Sequence, residues 1–332
     1  MVNDCLNIIN PLDKIRLHMG VKELKNFFHE LVENNTKKAI KLLNDENLHF
    51  PSLFILKSTI EEFSLLSSLN SRNRIALEIT DEILTNSANN KASESLPSDY
   101  IQTIHSVLKW ILDTGFADDG INNKYDKLLD IAATLITKIY KDKTFLPTMV
   151  DMIFNRHRRG FFIHDLVWAF FECRDPESLV LIANRLQSSH PKDFELACKL
   201  LGFVPCIDMD DKTDKEEKYL SCLNWIEDNS LFLYFTGESF QQTPHPKPYA
   251  IAWEAKYLCK IASTDTGEIL KSLTKEEYKL LDEFRKLDDD TKTLLSNFSF
   301  RLHRKNMEYW NDWIQYPIEK QIQIAIRGEY ID

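Results

Sequence analysis

The sequence predicts an all-α fold of stacked antiparallel helix pairs. Three observations carry that expectation. Glycine is scarce, 8 of 332 residues, whereas sheet-rich and nucleotide-binding folds consume glycine in hairpin turns and phosphate loops. Apolar residues recur at spacings of three and four along most of the chain, the stripe of an amphipathic helix. Capping signals sit at the ends of these stripes: Asn, Asp, Ser or Thr at the start, glycine at the stop. The 20 Phe, 11 Tyr and 6 Trp are ample for a large buried core.

In the first third, Asn10 stands before Pro11 at a first helical position and Gly20 closes the segment. Val21, Leu24, Phe27, Phe28, Leu31 and Val32 form one stripe, and Thr36 opens a further short helix with Ile40 and Leu43 inward. Residues 50–69 and 71–86 read as two longer helices. The run NSANNKASESLP (86–97) holds only Ala and Leu as apolar residues and ends in Pro97, so 87–97 reads as a linker. Ser98 caps a helix through Ile104, Leu108 and Leu112 to Gly115, and 123–141 continues the helical pattern.

The middle and end follow the same grammar. Phe162 to Phe171 reads as a heavily apolar helix, buried on most sides. Asp175, Pro176 and Glu177 start a helix through Leu179, Ile182 and Leu186. Pro191, Lys192 and Asp193 start another through Phe194, Ala197 and Leu200, stopped by Gly202. Residues 205–217 are acidic and irregular. LFLYF at 231–235 is the one strand-like segment, and could equally be the last turns of a buried helix. Pro244, Pro246 and Pro248 make 237–249 non-helical. Thr274 with Glu277 forms a capping box. Residues 290–313 read as one long helix, and Pro317 starts a final one ended by Gly328.

PKDFELACKLLG (191–202) resembles the second helix of a HEAT-type repeat, where a Pro or Asp start leads to small residues and a closing Leu-Gly. The resemblance spans residues 161–204. It implies a HEAT-like or irregular α-solenoid, whose extended concave surface takes peptide or protein partners. The expected organisation is an N-terminal helical segment over 1–86, a central HEAT-like segment over 98–204 and an acidic C-terminal segment over 206–332.

Composition narrows the function. Hydrophobic residues make up 43% and charged residues 28%, the balance of a globular chain rather than a disordered one. The net charge of −10 disfavours nucleic acid and anionic membrane surfaces, which both require clustered cations. No window approaches 18 uncharged apolar residues and the start shows no signal pattern. Cys5, Cys173, Cys198, Cys206, Cys222 and Cys259 form no CxxC pair, so they read as reduced thiols in a cytoplasmic protein.

Four constellations are candidates for a site. Arg156, His157, Arg158 and Arg159, followed by His164, read as an anion site at a helix end, or as cations at a helix C-terminus where the dipole favours them. Arg301, His303, Arg304 and Lys305, followed by Tyr309, Trp310 and Trp313, mix cations with aromatics as single-strand binders do, or as the solvated face of a core helix. The Pro-rich loop offers Phe240, His245 and Tyr249 as docking residues, or is a packed connector. His157 and His164, seven apart, could share a helix face, and Asp208, Asp210, Asp211 and Asp214 faintly resemble a calcium loop; neither makes a metal site. No GxSxG, HExxH, Walker or GxGxxG motif occurs, so no catalytic or cofactor residue is assigned.

The leading expectation is therefore a non-enzymatic interaction or scaffold protein with a protein partner. The alternatives are a helical module binding nucleic acid or another polyanion through 156–159 and 301–305, and an enzyme without a recognisable motif.

Overall fold

The computed structural model describes residues 9–86, 101–118, 120–207 and 214–328. Cys5, the 87–97 linker, the Ser98 cap and Asp208, Asp210 and Asp211 lie outside them. The described residues are mostly helical, with sixteen α-helices and one two-stranded sheet. No helix among them is long and apolar enough to cross a membrane. Contacts divide the chain into Met1–Thr148 and Met149–Asp332, a division that falls inside a helix.

The first unit contains α1 (Pro11–Met19), α2 (Val21–Leu43), α3 (Phe50–Glu62), α4 (Ser71–Asn86), α5 (Ile101–Gly115) and α6 (Asn123–Lys138). Asn10 caps α1 as its sequence predicts, its Oδ1 accepting from Leu12 N at 2.8 Å. Helix α2 packs on α1 and α3, and α5 packs on α3, α4 and α6. The break expected at Thr36 lies one residue earlier. Asn35 takes φ −157°, ψ 76° inside α2, and its Oδ1 accepts from Lys38 N at 3.0 Å. The helix expected over 50–69 stops at Glu62, because Ser64 turns to φ 54°. Under α1, buried Asp13 accepts from Ser52 Oγ at 2.6 Å and His49 N at 2.9 Å, and the Arg16 guanidinium pairs with Asp118.

Helix α7 (Leu146–Arg159) crosses the division and leads into α8 (His164–Glu172), α9 (Leu179–Ala183), α10 (Pro191–Leu200) and α11 (Lys215–Asn229). The apolar helix expected from Phe162 begins only at His164. Gly160, at φ +75°, ends α7, and Phe161 to Ile163 form a short non-helical connection. Phe162 is 87% exposed there. Cys222 on α11 is fully buried, where α11 packs on α9.

The strand-like LFLYF yields β1 (Leu233–Phe235), antiparallel to β2 (Tyr249–Ile251), with Leu233 opposite Ile251 and Phe235 opposite Tyr249. The Pro-rich segment is thus a long hairpin connection over 236–248. The chain ends in α12 (Trp253–Tyr257), α13 (Lys275–Phe284), α14 (Asp289–Lys305), α15 (Met307–Trp313) and α16 (Ile318–Arg327). The expected capping box is present on α13, with Glu277 N donating to Thr274 Oγ1 at 3.2 Å and Thr274 N to Glu277 Oε2 at 2.8 Å. The single helix expected over 290–313 is two. Asn306 (φ −152°, ψ 93°) breaks it and caps α15 by accepting from Tyr309 N at 3.2 Å. The core here stacks Tyr257 on Phe284 at 4.4 Å and closes over Phe298 and Trp313.

Candidate functional site

The connection between α7 and α8, one face of α10 and the 236–248 loop enclose a cleft of about 290 Å³. Its position follows from local sequence. Asp193 in the first turn of α10 is fully buried and takes the Arg158 guanidinium of α7, whose Nε donates to Oδ1 at 2.7 Å. Burial alone would raise the Asp193 carboxyl, but hydrogen bonds from Arg158 and Ser188 outweigh it and hold the group below the usual carboxylate range. This clamp sets α7 against α10. Val167 and Phe171 of α8, with Leu196 and Leu200 of α10, give the cleft its apolar lining.

The loop forms the opposite wall and is braced within itself. Thr236 N donates to Pro248 O at 2.9 Å, next to the sheet. Gln242 N donates to Ser239 O at 3.0 Å, closing a turn. Glu238 Oε2 accepts from Lys247 N at 2.9 Å, so the loop's carboxylate is turned onto its own backbone. Pro246 and Pro248 are buried and line the cleft. Behind them an aromatic cluster supports the wall: Phe235 lies 5.5 Å from Trp168 and 6.3 Å from Tyr249, and Phe171 lies 6.0 Å from Tyr249.

The candidate residues have divergent fates. Of the first basic run, Arg156 is buried and Arg158 is held by Asp193. Arg159 is exposed, with its guanidinium 4.4 Å from the centroid of the Phe161 ring. His157 lines the cleft. Burial lowers its pKa from the usual 6.5, with Lys192 and Lys199 adding to Glu195-opposed depression. His164 also lines the cleft, although it does not share a helix with His157. Phe240 lies in the loop wall, its ring centroid 5.2 Å from Lys199 Nζ. Tyr249 is buried in β2, where its hydroxyl donates to Phe171 O at 3.3 Å. His245 is exposed and is not among the cleft residues.

The second basic run lies elsewhere, at the end of α14. Arg304 pairs with Glu227 at 2.8 Å and Asp228 at 3.1 Å. His303 packs edge-on to Trp310 at 4.8 Å, and Trp310 Nε1 donates to Ser299 Oγ at 2.8 Å. Arg301 and Lys305 are exposed. Among the described residues, no group of three His, Cys, Asp or Glu is arranged to hold a metal ion.

Sequence reasoning passed over Trp168, Lys199 and Phe162 as site residues. All three sit in stripes that read as ordinary helix faces, and only the packing of α8, α10 and the loop brings them to one cleft. No family model, curated protein or solved structure matches the chain. The cleft combines apolar residues (Val167, Phe171, Leu196, Leu200), aromatic residues (Phe161, Phe162, Trp168, Phe240) and polar side chains (His157, His164, Lys199, Glu238).

Proposed function

We propose that this is a non-enzymatic interaction protein, a HEAT-like or irregular stack of helix pairs that captures an apolar group of a protein partner in the 157–248 cleft. One observation carries the reading. Phe162 is 87% exposed at the edge of an aromatic-lined cleft, and a contiguous exposed apolar surface beside a preformed pocket marks an interaction site. The braced loop supports it, since a wall already held in place costs a ligand less ordering on binding. The basic runs support the polyanion alternative less, because Arg158 and Arg304 are engaged by carboxylates.

The test is capture of nuclease-treated lysate proteins on immobilised wild-type protein and on Phe162→Asp. A stoichiometric protein that binds the wild type and is lost from the variant supports the reading. An unchanged set of partners on Phe162→Asp removes the cleft from the function. A bound set that vanishes with nuclease shifts the reading to polyanion binding.

A further inference from the structure

We propose that the cleft receives the C-terminal residue of its partner chain, with a bulky apolar side chain on the floor and the terminal carboxylate on Lys199 and the Trp168 indole N–H. The inference rests on the docking reading above and names what docks.

Size is the first argument. The cleft holds about 290 Å³, at the bottom of the range of roughly 300–1,000 Å³ for small-molecule pockets. It has room for one large side chain and its terminal group. A peptide backbone passing through and out again would need more.

The cleft also carries donors without acceptors among the described residues. Lys199 Nζ makes no hydrogen bond or ion pair with another described residue; it lies 5.2 Å from the centroid of the Phe240 ring and its charge also acts on His157. Trp168 packs on Phe235 at 5.5 Å, yet its Nε1–H has no acceptor among the described residues. An indole N–H and an ammonium can only donate. Nearby cations are engaged: Arg158 is bound by Asp193, and Lys192 Nζ donates to Arg158 O at 2.9 Å. Lys199 is exposed and Trp168 half-buried at the same cleft, so both donors are open to a ligand, and an acceptor that carries negative charge complements the ammonium.

The cleft offers little negative charge to oppose an anion. Glu238 is its only lining carboxylate, and Lys247 N already occupies one of its oxygens. His157, with its pKa lowered from 6.5 by burial, supplies one further donor or acceptor. An apolar residue bearing a free carboxylate satisfies this set, in the manner of other sites that capture chain ends.

The experiment uses fluorescent hexapeptide pools of mixed interior sequence and a fixed last residue, Phe, Leu, Asp or Gly. Each is made as the free acid and as the amide, and each is titrated against the full-length protein by anisotropy. The expected result is saturable binding of the Phe or Leu free-acid pools, at least ~10-fold tighter than their amides and than the Gly and Asp pools. Lys199→Met, which keeps the apolar stem, should collapse the acid-over-amide preference, and Lys199→Arg should restore most of it. Acid and amide binding within twofold of each other would overturn the inference, as would the absence of saturation by every pool. If acid and amide bind alike but both are lost in Phe162→Asp, docking at the cleft survives and the carboxylate does not. If Phe162→Asp changes neither the pools nor the captured partner, both readings fail.

Discussion

Lys256 is a buried cation held by two amide oxygens. It is 2% exposed, and its Nζ donates to Asn229 at 2.6 Å and Asn297 at 2.7 Å. Burial pushes its pKa down to about 8, against 10.5 in the unfolded chain, with Asp228 opposing and Arg301 adding. Between these two values the unfolded state binds more protons than the folded state, so stability from this residue rises as pH climbs from 8 to 10.5. The full difference is about 3 kcal/mol. Buried Cys222 and Tyr257, both pushed up by burial, act in the opposite sense above pH ~9. The Lys256 contribution is therefore the difference between wild type and Lys256→Met. In urea unfolding that difference should move in favour of the wild type between pH 7.5 and 10, and a constant difference would refute it. Asp193 gives a second residue-scale expectation. Asp193→Ala removes the buried acceptor of Arg158 and Ser188; because the Arg158 side chain is 34% exposed, water takes over part of its charge, and the loss should be about 1–3 kcal/mol. A loss under 1 kcal/mol in the same assay would show that the clamp is not structural.

At the scale of elements, the reading of helices from periodicity was accurate for type and less so for limits. The caps at Asn10 and Thr274 were visible because each offers an acceptor two or three residues before the amide that it meets. Asn306 carries the same signal, since Tyr309 N lies three residues on. It was hidden because Leu302, Trp310 and Trp313 continue one apolar stripe across the break. Asn35 is the mirror case, a cap inside what is otherwise a continuous α2. Asn306→Ala should lower stability by roughly 1 kcal/mol, the usual worth of such a cap. Asn306→Asp should lose little, and thermal melts of both variants decide it. Ala equal to wild type would mean that packing alone sets the corner. The connection before α8 was misread for another reason: Phe161, Phe162 and Ile163 are apolar, and hydrophobicity alone does not reveal whether a residue faces inward. Strand β1 was left open between strand and helix, because its partner β2 follows a long loop and no tight-turn pair links them.

For the whole molecule, the mostly helical character was legible. Composition breaks point to boundaries at 87–97 and near 205. Contacts add a division at 148/149, within α7, where helical continuity leaves no compositional trace. The cores around Phe284 and Phe298 and around Phe232 and Phe300 lie entirely beyond that point. A fragment from Lys143 to Asp332 keeps α7 whole and should melt cooperatively by circular dichroism. A broad transition with exposed apolar surface would show that it depends on the rest of the chain. The cleft was half legible: His157 and His164 were named together from sequence, but Phe240 belonged to a separate constellation. Their convergence is a property of packing, which no local window contains. The same packing makes Cys222 a clock. Its thiol is fully buried and its pKa stands at about 12, so an alkylating reagent meets almost no thiolate in the closed state. Modification then proceeds through moments when the packing around α11 opens, and the labelling rate counts those moments.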